Sequence, residues 1–175
     1  LITALPAPRL SALATAIEAG QVNAIVSVGE DLVAAGLTPA QLAKVSIVYL
    51  GTHENPTAAA AKVAIPTLMV FEKSGTFVNQ QFRLQKFFKC VPGPVGGADD
   101  LVVLAKLAAA VSGGTVAGEM HAVWSAMTVD VPAVKAITFA TLPETGLLLD
   151  ATPFSALTFP EAETLHYQPA AKAIA

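Results

Sequence analysis

The chain has 175 residues, of which 54% are hydrophobic and 13% charged, with a formal net charge of -3. This length allows one complete core, or one domain and part of a second. Because the ten Lys and Arg residues are scattered, we expect no nucleic-acid partner, which would need a clustered basic surface. Gly, Pro or a charge interrupts every apolar run before the ~20 residues that span a bilayer, so we expect a soluble chain without direct membrane insertion.

Between residues 5 and 66 the sequence alternates helix and strand signals. Apolar residues recur at three- and four-residue spacing over 5–19, which predicts a helix that ends at Gly20. The further predictions, in chain order, are a strand at 23–29, a helix at 38–43, a strand at 45–51, a helix at 56–61 and a strand at 62–66. This order predicts an α/β fold whose parallel sheet has right-handed crossovers.

The pattern changes after Pro66, where the chain is predicted to leave this first sheet. The predicted segments are two extended pieces at 76–79 and 82–90, a Pro- and Gly-rich linker at 91–97, and helices at 98–111 and 116–130. Asp99 and Asp100 favour the start of the first of these helices through its dipole. The remainder has few regular signals, and the tail from Pro169 is expected to be frayed or helical.

Few residues offer catalytic or metal chemistry. The single cysteine, Cys90, excludes an internal disulfide, indicates a reducing compartment and cannot hold an iron–sulfur cluster, which takes about four thiolates. His53, His121 and His166 are far apart and lack neighbouring Cys or paired carboxylates, so we predict no metal site. Neither a phosphate loop nor a nucleophile elbow is present, and no catalytic residue is predicted.

The segment 61–86 joins a buried strand to a Glu-Lys-x-Gly-Thr-Phe-x-Asn loop and then to Arg-x-Gln. The positions that carry this pattern are Ala61, Val63, Ile65, Pro66, Glu72, Lys73, Gly75, Thr76, Phe77, Asn79, Arg83 and Gln85. In type and spacing they resemble the molybdopterin-oxidoreductase family, which also occurs without its cofactor in the large iron–sulfur subunit of NADH:quinone oxidoreductase, respiratory complex I. Two departures are Lys62, where an Asp is usual, and Gln81-Phe82, which replaces Glu-Gly.

The resemblance implies a division of the chain into three regions. Residues 1–70 would form a Rossmann-like, three-layer parallel α/β region, residues 71–150 a mainly helical and irregular return segment of an adjoining lobe, and residues 151–175 a tail. Since the chain starts with Leu1 rather than Met, we expect it to be a piece of something longer.

The resemblance also implies a structural function. The chain would be the C-terminal portion of the large iron–sulfur subunit, supporting electron transfer from NADH to quinone without a redox centre or autonomous catalysis of its own. Iron–sulfur clusters would belong to the parent protein. The partners would be the rest of that subunit and the other subunits of the peripheral arm, on the cytoplasmic inner face of the cell membrane.

In cofactor-loaded relatives, an Asp at a strand end hydrogen-bonds the guanine edge of the pterin dinucleotide, and Gly51 stands at that position here. No cofactor-binding residue is therefore expected, and a vestigial cleft would contain Gly51, Thr52, His53, Asn55, Lys73, Thr76, Asn79 and Arg83. One alternative is a fragment of a molybdenum or tungsten enzyme such as formate dehydrogenase, whose loops help to bind molybdopterin guanine dinucleotide. Another is an independent nucleotide-fold module for an unknown ligand.

Read by themselves, the residues near the strand ends favour structural roles. Asn55 or Thr52 is suited to be the N-cap of the next helix. Glu72 and Lys73 are each expected to contact backbone or solvent, since adjacent extended residues point in opposite directions.

The glycine and polar residues of the 72–85 segment have structural interpretations as well. Gly75 is predicted to supply a positive φ angle for a turn. Asn79 and Arg83 are predicted to fix the loop, because an Arg fork can bridge carbonyl groups. Trp124 and Met127, three residues apart, are predicted to be core contacts of their helix.

Overall fold

A computed structural model describes residues 10–79, 81–150 and 152. The helices are α1 (Leu10–Glu18), α2 (Pro39–Leu42), α3 (Pro56–Ala60), α4 (Asp100–Ser112) and α5 (Met120–Asp130), and the strands are β1 (Ala24–Val28), β2 (Ser46–Gly51), β3 (Val63–Pro66), β4 (Gly75–Val78), β5 (Arg83–Phe87) and β6 (Leu147–Leu148). The predicted α/β fold, with a parallel sheet in the first half and helices in the second, is confirmed. The predicted tail from Pro169 lies outside the described residues.

The first sheet is parallel, with strands in the order β1-β2-β3. Its register aligns Val26 with Val48 and Val48 with Val63, so these three side chains share one face. The opposite face carries Ile25 and Ile47, which pack with residues of α1, α2 and the loop before α2 in a common core. Helices thus cover this second face, whereas Val26 and Val63 are exposed.

A buried hydroxyl fixes the loop that follows β1. The Oγ1 atom of Thr57 accepts a hydrogen bond from the Leu32 amide at 2.7 Å and donates one to Asp31 Oδ1 at 3.1 Å. Thr57 is fully buried and lies in the first turn of α3. The start of α3 therefore holds the loop after β1, although the two segments are well separated along the chain.

The second sheet is antiparallel, with strands in the order β4-β5-β6. Leu84 of β5 packs with Trp124 of α5 and with Val134 and Leu142 in a second core. The two-residue strand β6 was not predicted, and α5 begins at Met120 rather than at the predicted residue 116. The core contacts predicted for Trp124 and Met127 are confirmed.

A short parallel bridge connects the two halves. Thr67, directly after β3, pairs with Ala98, directly before the N-cap residue of α4. The Ala98 amide donates to the Pro66 carbonyl at 2.9 Å, and the Leu68 amide donates to the Ala98 carbonyl at 3.0 Å. These bonds place the amino terminus of α4 beside the carboxyl edge of the parallel sheet.

The role predicted for Gly75 is wrong. This residue lies within β4 and is not among the glycines that have a positive φ. A Cβ atom on Gly75 would instead lie 2.7 Å from the Cζ atom of Phe87, which pairs with it across the hairpin and stacks on Phe77 with ring centroids 4.8 Å apart. The close approach of an aromatic ring, not a turn conformation, explains the glycine.

The positive φ of this region occurs at Phe82, whose φ is 58°. Phe82 directly precedes β5 and packs against the second core. It occupies the position where the family pattern has the Gly of Glu-Gly. The substitution therefore places a bulky side chain in a conformation that glycine adopts more easily.

Candidate functional site

A cleft of about 950 Å³ lies at the carboxyl edge of the parallel sheet. Its floor is formed where β1, β2 and β3 end, at Gly29, Gly51 and Thr67. The β4–β5 hairpin, the amino-terminal part of α4 and one side of α5 form the other walls. This is the edge at which open parallel α/β sheets usually bind ligands.

The structure brings only part of the predicted site together. The cleft is lined by Gly51, Thr52, Lys73 and Thr76, but His53, Asn55, Asn79 and Arg83 are not among its lining residues. The predicted site therefore divides into a cleft group and a group with other contacts.

Tyr49 occupies the space into which a side chain at position 51 would project. A Cβ atom on Gly51 would lie 2.2 Å from Tyr49 Oη and 2.4 Å from Cζ, a separation that real Cβ atoms do not show. The two residues are separated by one position in β2, so they face the same side of the strand. A carboxylate could occupy position 51 only if Tyr49 moved.

Hydrogen bonds hold Tyr49 in this position. Asn55 Nδ2 donates to the Tyr49 hydroxyl at 2.9 Å, and this hydroxyl donates to the His53 carbonyl at 3.2 Å. The Tyr49 residue is only 4% exposed, so the ring is packed as well as hydrogen-bonded. Tyr49 was missed in the sequence analysis, although the period of two along a strand points to its proximity to Gly51.

Asn55 has the capping role that the sequence predicts. Its Oδ1 accepts from the Ala58 amide at 2.8 Å, while its Nδ2 is bonded to Tyr49. Thr52 is not the cap, since its Oγ1 is hydrogen-bonded to His53 Nδ1 at 2.7 Å. The loop after β2 is therefore ordered by contacts of its own side chains.

Lys73 forms an ion pair that sequence analysis did not predict. Its Nζ lies 2.5 Å from Asp100 Oδ2, and the two side chains are 20% and 28% exposed. The prediction that Lys73 contacts backbone or solvent is thus wrong. The companion prediction for Glu72 holds, because Glu72 Oε2 accepts from the Met69 amide at 2.8 Å.

Asn79 and Arg83 fix the hairpin, as predicted. Asn79 Oδ1 accepts from the amides of Gln81 and Arg83, both at 2.9 Å. Arg83 Nη1 donates to the Thr145 carbonyl at 3.3 Å, which connects β5 to the loop before β6. These contacts stabilise the second sheet and do not face the cleft.

Carboxylates outnumber cations on the walls of the cleft. The charged lining residues are Lys73, Asp99, Asp100 and Glu119. Asp99 Oδ1 caps α4 by accepting from the Leu101 amide at 3.0 Å, and Glu119 is the N-cap residue of α5 without a side-chain cap bond. Three carboxylates and one ammonium group give the walls a formal charge of -2. The two helix amino termini each add about half a positive charge, which leaves a local charge of about -1. Such a wall disfavours an anionic ligand.

The groups with shifted pKa values lie elsewhere. A hydrogen bond from Lys44 lowers the pKa of Glu18 at the end of α1. Hydrogen bonds from Thr152 lower the pKa of Asp150. Neither residue lines the cleft, so these shifts belong to surface contacts.

Within residues 10–79, 81–150 and 152, no three His, Cys, Asp or Glu side chains are grouped so that they could hold a metal ion. Over the same residues, no helix has both the length and the apolar character needed to cross a membrane. Cys90 is exposed, with its Sγ 3.3 Å from the Phe88 carbonyl.

A protein-family model described as molybdopterin oxidoreductase matches residues 2–110, which is more than half of the chain. The match includes the complete parallel sheet, the β4–β5 hairpin and most of α4. A search among curated proteins found no match.

Two features of the described lining residues oppose the binding of the pterin cofactor that gives this family its name. The ring of Tyr49 fills the space beside Gly51, the strand end at which the resemblance implies a guanine-binding carboxylate in cofactor-loaded relatives. Lys73, the only basic side chain among the described lining residues, is paired with Asp100 and is not free to bind a pyrophosphate.

Proposed function

This chain belongs to the molybdopterin oxidoreductase family, and from that premise we propose that it is a structural portion of the large iron–sulfur subunit of an NADH:quinone oxidoreductase. In this role it lies C-terminal to the cluster-bearing part of the subunit. It supports electron transfer from NADH to quinone, and it carries neither a redox centre nor catalysis of its own.

The observation that carries the proposal is the packing of Tyr49 against Gly51. The Tyr49 hydroxyl is hydrogen-bonded on both sides, to Asn55 and to the His53 carbonyl. The family resemblance implies that cofactor-loaded relatives have a guanine-recognising carboxylate at this strand end, and here the Tyr49 ring occupies the space that its side chain would need. A family member that fills this space with its own side chain is suited to a supporting role.

The charges of the cleft support the same proposal. Asp99 and Asp100 begin α4, and Glu119 begins α5, so carboxylates stand at both helix amino termini. In anion sites these termini are left available to the ligand. Here Asp99 Oδ1 already accepts from an amide at the start of α4, and Glu119 places a negative charge beside the start of α5 without a cap bond.

We propose that the partners are the remainder of the same subunit and neighbouring subunits of the peripheral arm, on the cytoplasmic inner face of the cell membrane. Iron–sulfur clusters would be held by the remainder of the parent protein. The net charge of -3 and the scattered basic residues support a protein partner rather than a nucleic acid.

The test is native purification of the parent protein from its source, followed by identification of co-purifying subunits and assay of NADH:quinone reductase activity. We expect the parent to co-purify with that activity and with a set of iron–sulfur and flavin subunits. A parent that purifies with formate-dependent dye reduction and no NADH oxidation would contradict the proposal and favour a pterin-dependent enzyme such as formate dehydrogenase.

A further inference from the structure

Apolar and unusually flexible side chains line the cleft. All three methionines of the chain, Met69, Met120 and Met127, lie on its walls. Phe77 and Phe87 face them from the β4–β5 hairpin. Methionine is unbranched and polarisable, and it is common on surfaces that adapt their shape to an inserted polypeptide.

The apolar lining continues onto the outer surface. Val28 is 46% exposed, Met69 40% and Phe77 58%, although all three line the cleft. A small molecule enclosed in the cleft would leave these rim side chains in water. A polypeptide segment can fill the cleft and cover the rim at once, which is what contiguous exposed apolar surface indicates.

The charged side chains of the cleft indicate which kind of polypeptide segment could bind there. Lys73 is neutralised by Asp100, whereas the Glu119 side chain is 79% exposed, with its Oε2 3.7 Å from Nδ1 of the similarly exposed His121. Asp99 adds a second carboxylate at the start of α4. An apolar groove with an acidic rim complements a segment that combines apolar side chains with Lys or Arg.

We propose that this cleft is the docking site of a basic amphipathic helix from a partner subunit. Its apolar stripe contacts the three methionines and Phe77, and its Lys or Arg side chains reach Asp99 and Glu119. The inference deepens the proposed function and rests on it, since a supporting domain without a pterin leaves the cleft available to protein.

The methionines provide a specific probe. In the 175-residue chain labelled with ¹³C at the methionine methyl groups, the NMR spectrum contains three methyl signals, and all three report on the cleft. The ligand probe is a synthetic Leu/Lys amphipathic helix, and its control is the same peptide with Glu in place of Lys. We expect saturable shifts of the methyl signals with the Lys peptide and at least about tenfold weaker binding of the Glu peptide, because several rim charges change from attraction to repulsion.

Two charge-removing variants test the rim. Asp99→Asn retains a good N-cap residue for α4, and Glu119→Gln changes an exposed side chain, so both are expected to fold. Each should weaken the Lys peptide by about two- to fivefold, the range of an exposed ion pair. The matched control is Asp130→Asn, which removes one charge at the exposed end of α5, outside the lining of the cleft, and should leave the affinity unchanged.

Three results would overturn the proposal: no methyl shift with the Lys peptide, equal binding of the Lys and Glu peptides, or equal losses in Asp130→Asn and Glu119→Gln. The last result would indicate attraction to the whole acidic chain rather than to the cleft. Because the titration uses this chain alone, its failure leaves the purification test of the proposed function unaffected. Failure of that purification test would in turn leave the measured peptide affinity unchanged.

Discussion

The two halves of the molecule build their cores from different distances along the chain. In the first half, the core of Ile17, Leu42 and Ile47 is assembled by consecutive helices and strands within about fifty residues. In the second half, Leu84 of β5 meets Trp124 and Leu142, which come from segments up to sixty residues later. The cleft lies between the parallel sheet, whose core residues are close in sequence, and a wall built from segments that are farther apart in sequence.

This difference indicates which contacts determine what the cleft can bind. The ends of the parallel sheet are set by the pairing of its own three strands. The properties of the cleft instead depend on a few contacts at the junction, namely Tyr49 beside Gly51 and Lys73 with Asp100. Substitutions at these contacts are the means to test the comparison.

The largest effect is expected for Gly51→Asp, which restores the carboxylate of cofactor-binding relatives. The new side chain would collide with the Tyr49 ring and displace a buried hydroxyl from its partners. We expect a loss of at least about 3 kcal/mol in the free energy of unfolding, from overpacking and from burial of a carboxylate. Urea denaturation measures it, with Thr52→Asp at the exposed neighbouring position as the control.

A Gly51→Asp variant as stable as Thr52→Asp would show that Tyr49 yields easily and that the cleft remains close to a binding conformation. The packing of Tyr49 would then not determine the properties of the cleft, because its ring could move aside at little cost in stability.

The second effect concerns the wall formed by the hairpin. Gly75→Val places a branched side chain against the Phe87 ring, and we expect a loss of about 1–3 kcal/mol from overpacking. Thermal unfolding of Gly75→Val, Phe87→Ala and the double variant forms a cycle. If ring contact is the cause, Gly75→Val should cost much less in the Phe87→Ala background; an equal cost in both backgrounds would indicate a backbone requirement instead.

A third, smaller effect is expected for Asn79→Ala. This change removes a side-chain oxygen that accepts from two backbone amides in the turn between β4 and β5. Because the turn is exposed to water, we expect a loss of about 1 kcal/mol. Amide hydrogen exchange should accelerate in β4 and β5 and remain unchanged in β1 to β3; equal acceleration in both sheets would show that the two halves unfold together.

The smallest effect is expected for the ion pair between Glu18 and Lys44, which joins the end of α1 to a residue two positions after α2 within the first half. The hydrogen bond from Lys44 lowers the pKa of Glu18, so its contribution to stability is present above the ordinary pKa of a glutamate. It is lost as the pH falls through the lowered value. Unfolding midpoints of Glu18→Gln and the wild type should differ slightly at pH 6 and converge once the pH falls below the lowered pKa of Glu18; a difference that grows on acidification would contradict this assignment.

Most of the first half could be predicted from its sequence, because periodicity and turn residues act over short distances. Thr38 and Asn55 cap the helices that follow them, and short apolar runs became the three parallel strands. The contacts that join the two halves at the cleft could be predicted less well. Lys73 and Asp100 are 27 positions apart, and no local signal connects them.

The loop differs from its prediction at Gly75 and Phe82, and both differences have the same physical origin. Gly75 was assigned a turn conformation because glycine permits a positive φ, whereas the structure uses it to admit the Phe87 ring. The positive φ falls at Phe82, a residue type that gives no signal for it. A single sequence does not distinguish the two uses of glycine, since both depend on what packs nearby.

The most direct test of the central claim is analysis of molybdenum, tungsten, iron and released pterin in the natively purified parent protein. We expect iron with no stoichiometric molybdenum, tungsten or pterin, because the Tyr49 ring and the carboxylates on the cleft walls oppose the binding of the dinucleotide. Stoichiometric molybdenum or tungsten together with pterin would contradict it and would make the cleft part of a cofactor site.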